Sequence, residues 1–236
     1  QNLSIYFESE KKTEIDNLIS SLNQLHNFEF DWKTQEIEPW HLSWKDNFTP
    51  IYIRDKIAII PDWEEFNLDY EHVIKIKPGM AFGTGHHETT YLMLEALLKF
   101  EMLNKSLLDL GTGSGILAFA AKSMGAAHII CVEDDAVCEE NFMENMDLNH
   151  IADIDFIKAD ATTWMSFNFD VVLANINRNV LLEIIPNLKM ATGAIVLSGL
   201  LTTDEKIMRQ ICTDNGLNVN EVNVKGEWIS MELTVA

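Results

Sequence analysis

Residues 107–118 have the sequence LLDLGTGSGILA, which joins an apolar strand to an amphipathic helix through a glycine-rich turn. Glycine tolerates the positive φ angles of a tight turn and lets a ligand approach the backbone closely. Open α/β sheets bind their ligands at such turns, beyond the carboxyl ends of the strands. The segment therefore predicts the first βα unit of a ligand-binding α/β fold.

Strand-like and helix-like runs alternate on both sides of this turn. The predicted strands cover residues 72–77, 106–110, 128–133, 154–158, 169–174, 194–198, 217–224 and 228–235. The predicted helices cover residues 88–100, 115–124, 135–149, 178–190 and 203–215. Such alternation indicates a mostly parallel sheet with helices on both faces. Only residues 225–227 separate the last two strands, so the last strand should run antiparallel.

The residues ahead of this sheet predict a smaller α+β region. Residues 13–26 have apolar side chains at helical spacing, and Phe28–Trp32 alternates like a strand. Two short β-like runs lie within residues 50–60, on either side of Arg54-Asp55. We therefore expect a small N-terminal domain over residues 1–47 and a linker region with short strands over residues 48–70.

Two classes of cofactor compete for the glycine turn. The dinucleotide fingerprint G-x-G-x-x-G needs a glycine where this chain has Ile116, because the third glycine comes one place early. Asp109 would repel a pyrophosphate but suits a cation. S-adenosylmethionine (SAM) carries a sulfonium and an ammonium and has no phosphate, so the residues favour SAM over NAD. The candidate cofactor residues of the turn are Asp109, Gly111, Gly113 and Gly115.

Polar residues follow the next three strands of the predicted sheet. Glu133 lies 22 residues after Gly111, where an acid binds ribose hydroxyls, or it is an ordinary strand-end acid. Asp160 is placed either to bind the adenine amino group or to cap a helix. Asn175 is placed either to accept a hydrogen bond from an attacking amine or to cap the following helix. These residues extend the candidate site along one edge of the sheet.

Composition and charge narrow the function classes. The chain of 236 residues is 47% hydrophobic and has a formal net charge of −20. This charge either repels nucleic acid and favours basic binding partners, or it serves solubility alone. The odd set of three cysteines and the lack of a leader or a membrane-length apolar run predict reduced thiols in a cytoplasmic protein. Because the chain begins with Gln1 rather than Met, we expect native residues to precede it.

Two further segments carry a resemblance to a known family. They are PGMAFGTGHHETT over residues 78–90 and Ala174-Asn175-Ile176-Asn177 after the fourth strand of the sheet. Together with the glycine turn they resemble the methyltransferases that modify ribosomal protein L-eleven (L11). The resemblance is close over residues 70–236 and weak through Trp40 and Trp44.

The resemblance implies a class I methyltransferase fold of seven strands over residues 71–236, with a ferredoxin-like substrate-recognition domain before it that is only partly present. It implies cofactor contacts at Thr90, Gly111, Glu133 and Asn175, and a loop at Thr84 that covers the methionine end of SAM. The implied products are methylated lysine side chains and a methylated N-terminal amine of L11. The sequence is silent on the oligomeric state.

For the chemistry we hypothesise that Asn175 and the backbone carbonyl of Ile176 position a neutral amine, without a dedicated strong base. Ile176-Asn177 departs from the Pro-Pro-aromatic motif of enzymes that methylate glutamine amides or bases. His86 and His87 predict no metal site, since adjacent side chains point apart and no third ligand is suitably spaced. The alternatives are a methyltransferase for another protein or a small amine, a nicotinamide oxidoreductase, and a non-catalytic binding module.

Overall fold

The structure is a computed structural model that describes residues 11–25, 49–64, 70–79, 83 and 85–236. The chain divides into two compact units, residues 1–45 and 46–236. The described part of the first unit is helix α1 (Lys12–Leu25), which confirms the helix predicted there. The predicted strand Phe28–Trp32 and the Trp40/Trp44 stretch lie outside the described residues.

The larger unit begins with a small three-stranded sheet. Strand β1 (Ile51–Ile53) pairs antiparallel with β2 (Ile57–Pro61), and β2 pairs parallel with β3 (His72–Ile76). The connecting residues Arg54 and Asp55 have φ of 49° and 54°, which closes the hairpin. The two predicted β-like runs around Arg54-Asp55 are therefore confirmed, and the segment predicted as a linker region belongs to the larger unit.

The second sheet has seven strands in the order β6-β5-β4-β7-β8-β10-β9. Its strands are β4 (Ser106–Leu110), β5 (His128–Glu133), β6 (Asp155–Lys158), β7 (Val171–Asn175), β8 (Ala194–Leu201), β9 (Leu217–Lys225) and β10 (Trp228–Val235). The first five pair parallel with one another, and β10 runs antiparallel to both β8 and β9. The predicted seven-stranded, mostly parallel sheet with an antiparallel last strand is confirmed.

Helices cover both faces of this sheet, as predicted. They are α2 (Glu88–Leu97), α3 (Ile116–Ser123), α4 (Ala136–Leu148), α5 (Arg178–Leu188) and α6 (Glu205–Asp214). Side chains of a strand alternate between faces, so Leu107 packs with α2 and α3 in one core while Leu108 packs with α5 and α6 in the other. Asp109 shares the face of Leu107, which places its carboxyl group inside an apolar core.

Element ends differ from the predictions in a few places. Strand β8 continues to Leu201, three residues beyond the predicted end, because Leu200 and Leu201 pair with Ile229 and Trp228 of β10. Gly199 interrupts the apolar pattern there and hides the extension in the sequence.

None of the described helices is long and apolar enough to cross a membrane.

Candidate active site

A pocket opens at the carboxyl ends of β4, β5 and β7, where the strand order reverses direction between β4 and β7. Ligands of open α/β folds bind at such a switch point. Six residues predicted from the sequence line it: Gly111, Gly113, Glu133, Asp160, Asn175 and Ile176. Residues that the sequence did not single out also line it, among them Thr89, Val180, Glu183, Gly199 and Trp228. The predicted site residues at the ends of four strands, β4 to β7, thus meet in one cavity.

The glycine turn has the left-handed backbone that its sequence predicts. Gly111, Gly113 and Gly115 have φ of 70°, 55° and 85°. The Gly111 N–H donates to the Val132 carbonyl at 2.8 Å, which ties the turn to the neighbouring strand. A Cβ atom at Gly111 would overlap the Ile176 side chain, so only glycine lets the turn lie against the end of β7.

Asp109 lies beneath the turn and is 1% exposed. Its Oδ2 accepts a hydrogen bond of 2.7 Å from the Thr112 hydroxyl, while its Oδ1 is buried without a partner. Burial raises the pKa of Asp109 to about 7, the Thr112 hydrogen bond opposes this, and the nearby Glu133 charge adds to it. Asp109 is absent from the pocket lining, so its unpartnered oxygen lies beneath the turn rather than in the wall of the pocket.

Glu133 ends β5 and is held by three backbone N–H groups. Its Oε2 accepts from Gly113 at 3.1 Å, and its Oε1 accepts from Asp134 at 3.0 Å and Asp135 at 3.2 Å. The carboxylate therefore fastens the glycine turn to the next strand while it lines the pocket. This fixed orientation is compatible with the predicted contact to ribose hydroxyls.

Asp160 caps a helix, which is the second of its two predicted roles, and it also lines the pocket. It is the N-cap of a short 3-10 helix (Ala161–Thr163), and its Oδ1 accepts from the Thr162 N–H and the Thr162 hydroxyl at 2.8 Å each. These hydrogen bonds lower the pKa of Asp160. An adenine contact at Asp160 stays a prediction, with Oδ2 as the oxygen left over from capping.

Asn175 does not cap the following helix. The N-cap of α5 is Asn177, whose side chain accepts from the N–H groups of Asn179 and Val180. The Oδ1 atom of Asn175 is instead buried without a partner in the pocket wall. The capping interpretation of Asn175 is therefore wrong, and its buried amide oxygen has no hydrogen-bond partner within the described part of the chain.

The Ile176 backbone depends on a residue that the sequence analysis missed. Gly199 in β8 has φ of +84°, and a Cβ atom there would overlap the Ile176 carbonyl oxygen. A glycine inside a strand often marks a close backbone approach, which is the signal that was available in the sequence. Gly199 thus makes room for the Ile176 carbonyl, which the sequence analysis predicts to position the amine.

The other wall of the pocket is formed at the start of α2 and β10. His87 is the N-cap of α2, and its ring meets the ring of Trp228 edge-on at 4.6 Å between centroids. Thr89 lines the pocket, while the predicted contact Thr90 lies behind it with a buried hydroxyl that has no partner. Thr84 lies outside the described residues.

Unpartnered polar atoms provide a test of whether the site fits a cofactor. Buried polar groups in proteins almost always have hydrogen-bond partners. Among the described residues, six buried side-chain oxygens lack one, on Asp62, Glu64, Thr90, Asp109, Asn175 and Ser230. Three of these six belong to the cofactor residues predicted from the sequence: Thr90, Asp109 and Asn175. The predicted residues therefore fit a ligand that donates hydrogen bonds.

The charge of the pocket indicates what kind of ligand it suits. Among the described residues, its lining includes five carboxylates, on Glu133, Asp134, Asp135, Asp160 and Glu183, and neither lysine nor arginine. Such a field attracts cations and repels phosphates. No group of three or more metal-ligating side chains occurs in the described part of the chain. The arrangement can therefore hold an organic cation beside a hydrogen-bonding wall.

Comparison with known proteins gives the family. A family model described as ribosomal protein L11 methyltransferase (PrmA) matches residues 1–235. The chain belongs to this family. The PrmA-family proteins similar to it include those of Pelobacter propionicus, 39% identical over 84% of this chain and 67% of the relative, and Lactobacillus johnsonii, 32% identical over 97% and 78%. The protein of Clostridium perfringens strain SM101 is 35% identical over 81% of this chain, which spans 62% of that relative's length.

Solved structures agree with the PrmA family and its fold. The crystal structure of ribosomal protein L11 methylase from Lactobacillus delbrueckii subsp. bulgaricus has a TM-score of 0.74 and 28% identity, and the match covers 80% of this chain and 99% of that one. Magnesium protoporphyrin IX methyltransferase from Synechocystis PCC 6803 has a TM-score of 0.55 at 16% identity, over 68% and 86% of the two chains. The second likeness supports the Rossmann-like methyltransferase fold alone.

Proposed function

We propose that this chain is a SAM-dependent protein N-methyltransferase that modifies lysine side chains and the N-terminal amine of ribosomal protein L11. One observation carries the proposal: the Asn175 amide oxygen is buried and unpartnered in an acidic pocket beside the glycine turn. Such an oxygen can accept a hydrogen bond from an amine, and the carboxylates around it favour a cationic ligand. Family membership supports L11 as the protein that presents the amine.

The residues of the turn and the strand ends are the proposed SAM site. SAM supplies an electrophilic methyl group on its sulfonium, so the cofactor carries the difficult chemistry. Glu133 would hold the ribose hydroxyls, and Asp160 the adenine amino group. Asp109 would balance the positive charge of the methionine end, where Thr90 would form a hydrogen bond. Thr84 is retained as a proposed contact on family resemblance alone.

The acceptor amine must be neutral and must be aimed at the methyl group. A free lysine side chain has a pKa of ~10.4, so at neutral pH it is mostly protonated. Desolvation in the pocket favours the neutral form. The Asn175 Oδ1 atom and the Ile176 carbonyl would each accept one N–H of the amine, which directs the nitrogen lone pair away from both oxygens. Catalysis would then rest on positioning, without a strong base.

Charge and domain organisation support a protein substrate. A chain with a net charge of −20 attracts a basic protein such as a ribosomal one. We propose that residues 1–47 recognise the substrate, that residues 48–70, which fold as part of the larger unit, connect them to the catalytic residues 71–236, and that the enzyme works in the cytoplasm. The three cysteines, Cys131, Cys138 and Cys212, are buried and form no disulfide, which is compatible with a reducing compartment.

The proposal is tested by methyl transfer from labelled SAM to purified bacterial L11, read by intact and peptide mass spectrometry. We expect mass gains in steps of one methylene on lysines or the N-terminal amine. If SAM binds but L11 gains no mass, the substrate is another protein or a small amine, and the L11 proposal is wrong. Binding of NAD without binding of SAM would instead support an oxidoreductase.

A further inference from the structure

Helix α4 and its C-cap residue present three asparagines to the end of β3 and to the residue that follows it. Asn141, Asn145 and Asn149 are four residues apart, so they lie one above the other on the same face of the helix. Asn141 and Asn145 are 7% and 0% exposed, and Asn149 is half-buried. We call these three residues the asparagine ladder. Buried amides are costly unless both their donor and acceptor groups are satisfied.

The ladder pairs with the backbone of residues 75–77 as a neighbouring strand would. The Asn149 amide accepts from the Lys75 N–H at 2.8 Å and donates to the Lys75 carbonyl at 2.7 Å. Asn145 accepts from the Lys77 N–H at 2.7 Å, and Asn141 donates to the Lys77 carbonyl at 3.0 Å. Side-chain amides thus replace the hydrogen bonds that a further β-strand would supply along this edge.

Only one member of the ladder contacts the glycine turn. The Asn145 Nδ2 atom donates to the Ser114 carbonyl at 3.0 Å and to the Asn141 amide oxygen at 3.3 Å. Ser114 is fully buried, and its hydroxyl donates to the Gly83 carbonyl at 2.6 Å. Asn145 therefore connects the backbone at Lys77 with the turn from the side that faces away from the pocket.

We propose that Asn145 is a positioning residue for the cofactor site, an inference that rests on the proposed function. Its amide fixes the Ser114 carbonyl and so the left-handed backbone of Gly113 and Gly115 on either side. Replacing Asn145 by an apolar residue removes the amide partner of the buried Ser114 carbonyl and of the partly buried Lys77 N–H. The turn then relaxes away from the geometry that receives SAM. Asn149 makes equivalent bonds to Lys75 but none to the turn, so it serves the fold alone.

The difference between the two asparagines gives a matched test. Asn145→Ala and Asn149→Ala each remove an amide that pairs with the same extended segment, so both variants should lose thermal stability. We expect the dissociation constant for SAM to rise by about tenfold or more in Asn145→Ala, since small misplacements of a site are costly. In Asn149→Ala it should stay within about twofold of wild type. Equal weakening in both variants, or none in Asn145→Ala, would overturn the inference.

A second variant and a second readout keep the test independent of cofactor binding. Asn145→Ser is the milder change if Asn145→Ala does not fold. Amide hydrogen exchange over residues 111–116, measured without SAM, should accelerate in the Asn145 variant and stay unchanged in Asn149→Ala. Failure of wild type to bind SAM contradicts the proposed function, whereas unchanged exchange in the Asn145 variant contradicts the positioning role.

Discussion

Two aspartates at opposite ends of the paired strands β4 and β7 have opposite environments. Asp109, near the carboxyl end, is 1% exposed and keeps one oxygen without a partner, and burial raises its pKa to about 7. Asp170, just before the amino end of β7, accepts hydrogen bonds from the N–H and hydroxyl of Ser106 and from Lys105. These bonds, the backbone one foremost, lower the pKa of Asp170 to about 2.

The contrast shows how one sheet separates stability from ligand binding. At the amino end the carboxylate is satisfied by its own chain and clamps β4 to β7. At the carboxyl end a buried charge and the Asn175 amide remain unsatisfied, which costs stability unless a ligand supplies the partners. Polar groups left without partners in this way are candidates for function. Four predictions test the contrast, beginning with the largest expected effect.

Replacing Asn175 by Ala should lower the rate of methyl transfer to L11 by about 100-fold or more, because the amine would lose the group that aims it. The side chain makes no helix cap, so the unfolding temperature should change little. Transfer rates at saturating SAM measure the effect, with the exposed neighbour Asn179→Ala as the control. A variant with near-normal turnover would show that Asn175 does not position the amine.

Replacing Asp109 by Asn should weaken SAM binding about tenfold or more while it stabilises the free protein at pH 8. The folded pKa of about 7 exceeds the ordinary 3.8, so the contribution of Asp109 to stability falls as the pH rises from about 4 to about 7. The neutral amide removes this loss, which is on the order of 4 kcal/mol above pH 7. Urea unfolding of both proteins between pH 5 and pH 8 measures it. Parallel stability curves would mean that Asp109 does not titrate in this range.

Replacing Gly199 by Ala should reduce turnover about tenfold, since the new methyl group displaces the Ile176 carbonyl. The left-handed backbone at this residue adds a stability cost of ~1–2 kcal/mol. Steady-state kinetics separate the two effects, and Gly216→Ala is the matched control because it has φ of +78° and open space around its Cβ position. If both variants lose only stability, Gly199 has no part in positioning.

Replacing Asp170 by Asn should have the smallest effect and should change only stability. The Asp170 side chain is 40% exposed, so solvent screening limits the loss to about 1 kcal/mol, or ~2–4 °C in Tm. Its folded pKa of about 2 lies below 3.8, so this stability is present above pH 4 and is lost as the pH falls towards 2. Thermal unfolding at pH 7 and pH 4 should show the same difference from wild type. A change in SAM affinity would contradict the separation of the two ends.

Periodicity alone predicted most of the fold. The bounds of β4, β5 and β10 agree with the sequence prediction, because a charged or turn-forming residue marks at least one end of each run: Lys105 and Gly111 for β4, Asp134 for β5 and Glu227 for β10. The helix predicted over residues 88–100 ends at Leu97, since amphipathic spacing continues past the last helical hydrogen bonds. Gly111, Glu133 and Asn175 each lie at the carboxyl end of a strand. Because parallel strands end at the same edge of a sheet, the sequence also predicted that these three residues come together.

The features that could not be predicted from the sequence depend on contacts between residues that lie far apart along the chain. Asn175 and Asn177 are equally good caps by residue type, and only the backbone geometry selects Asn177. Asn141 and Asn145 are four residues apart, which is visible in the sequence. The carbonyl groups to which they donate, at Lys77 and Ser114, lie more than 30 residues away along the chain. Trp228 lines the pocket because β10 lies between β8 and β9 in the sheet. No local sequence pattern predicts this strand order.

The most direct test is calorimetric titration of SAM into the wild-type chain, Asp109→Asn and Asp170→Asn under identical conditions. The separation of binding from stability predicts that wild type and Asp170→Asn bind with affinities within about twofold, while Asp109→Asn binds about tenfold more weakly or not at all. Undiminished binding by Asp109→Asn, or equal weakening in both variants, would contradict the assignment of the carboxyl-end pocket as the cofactor site.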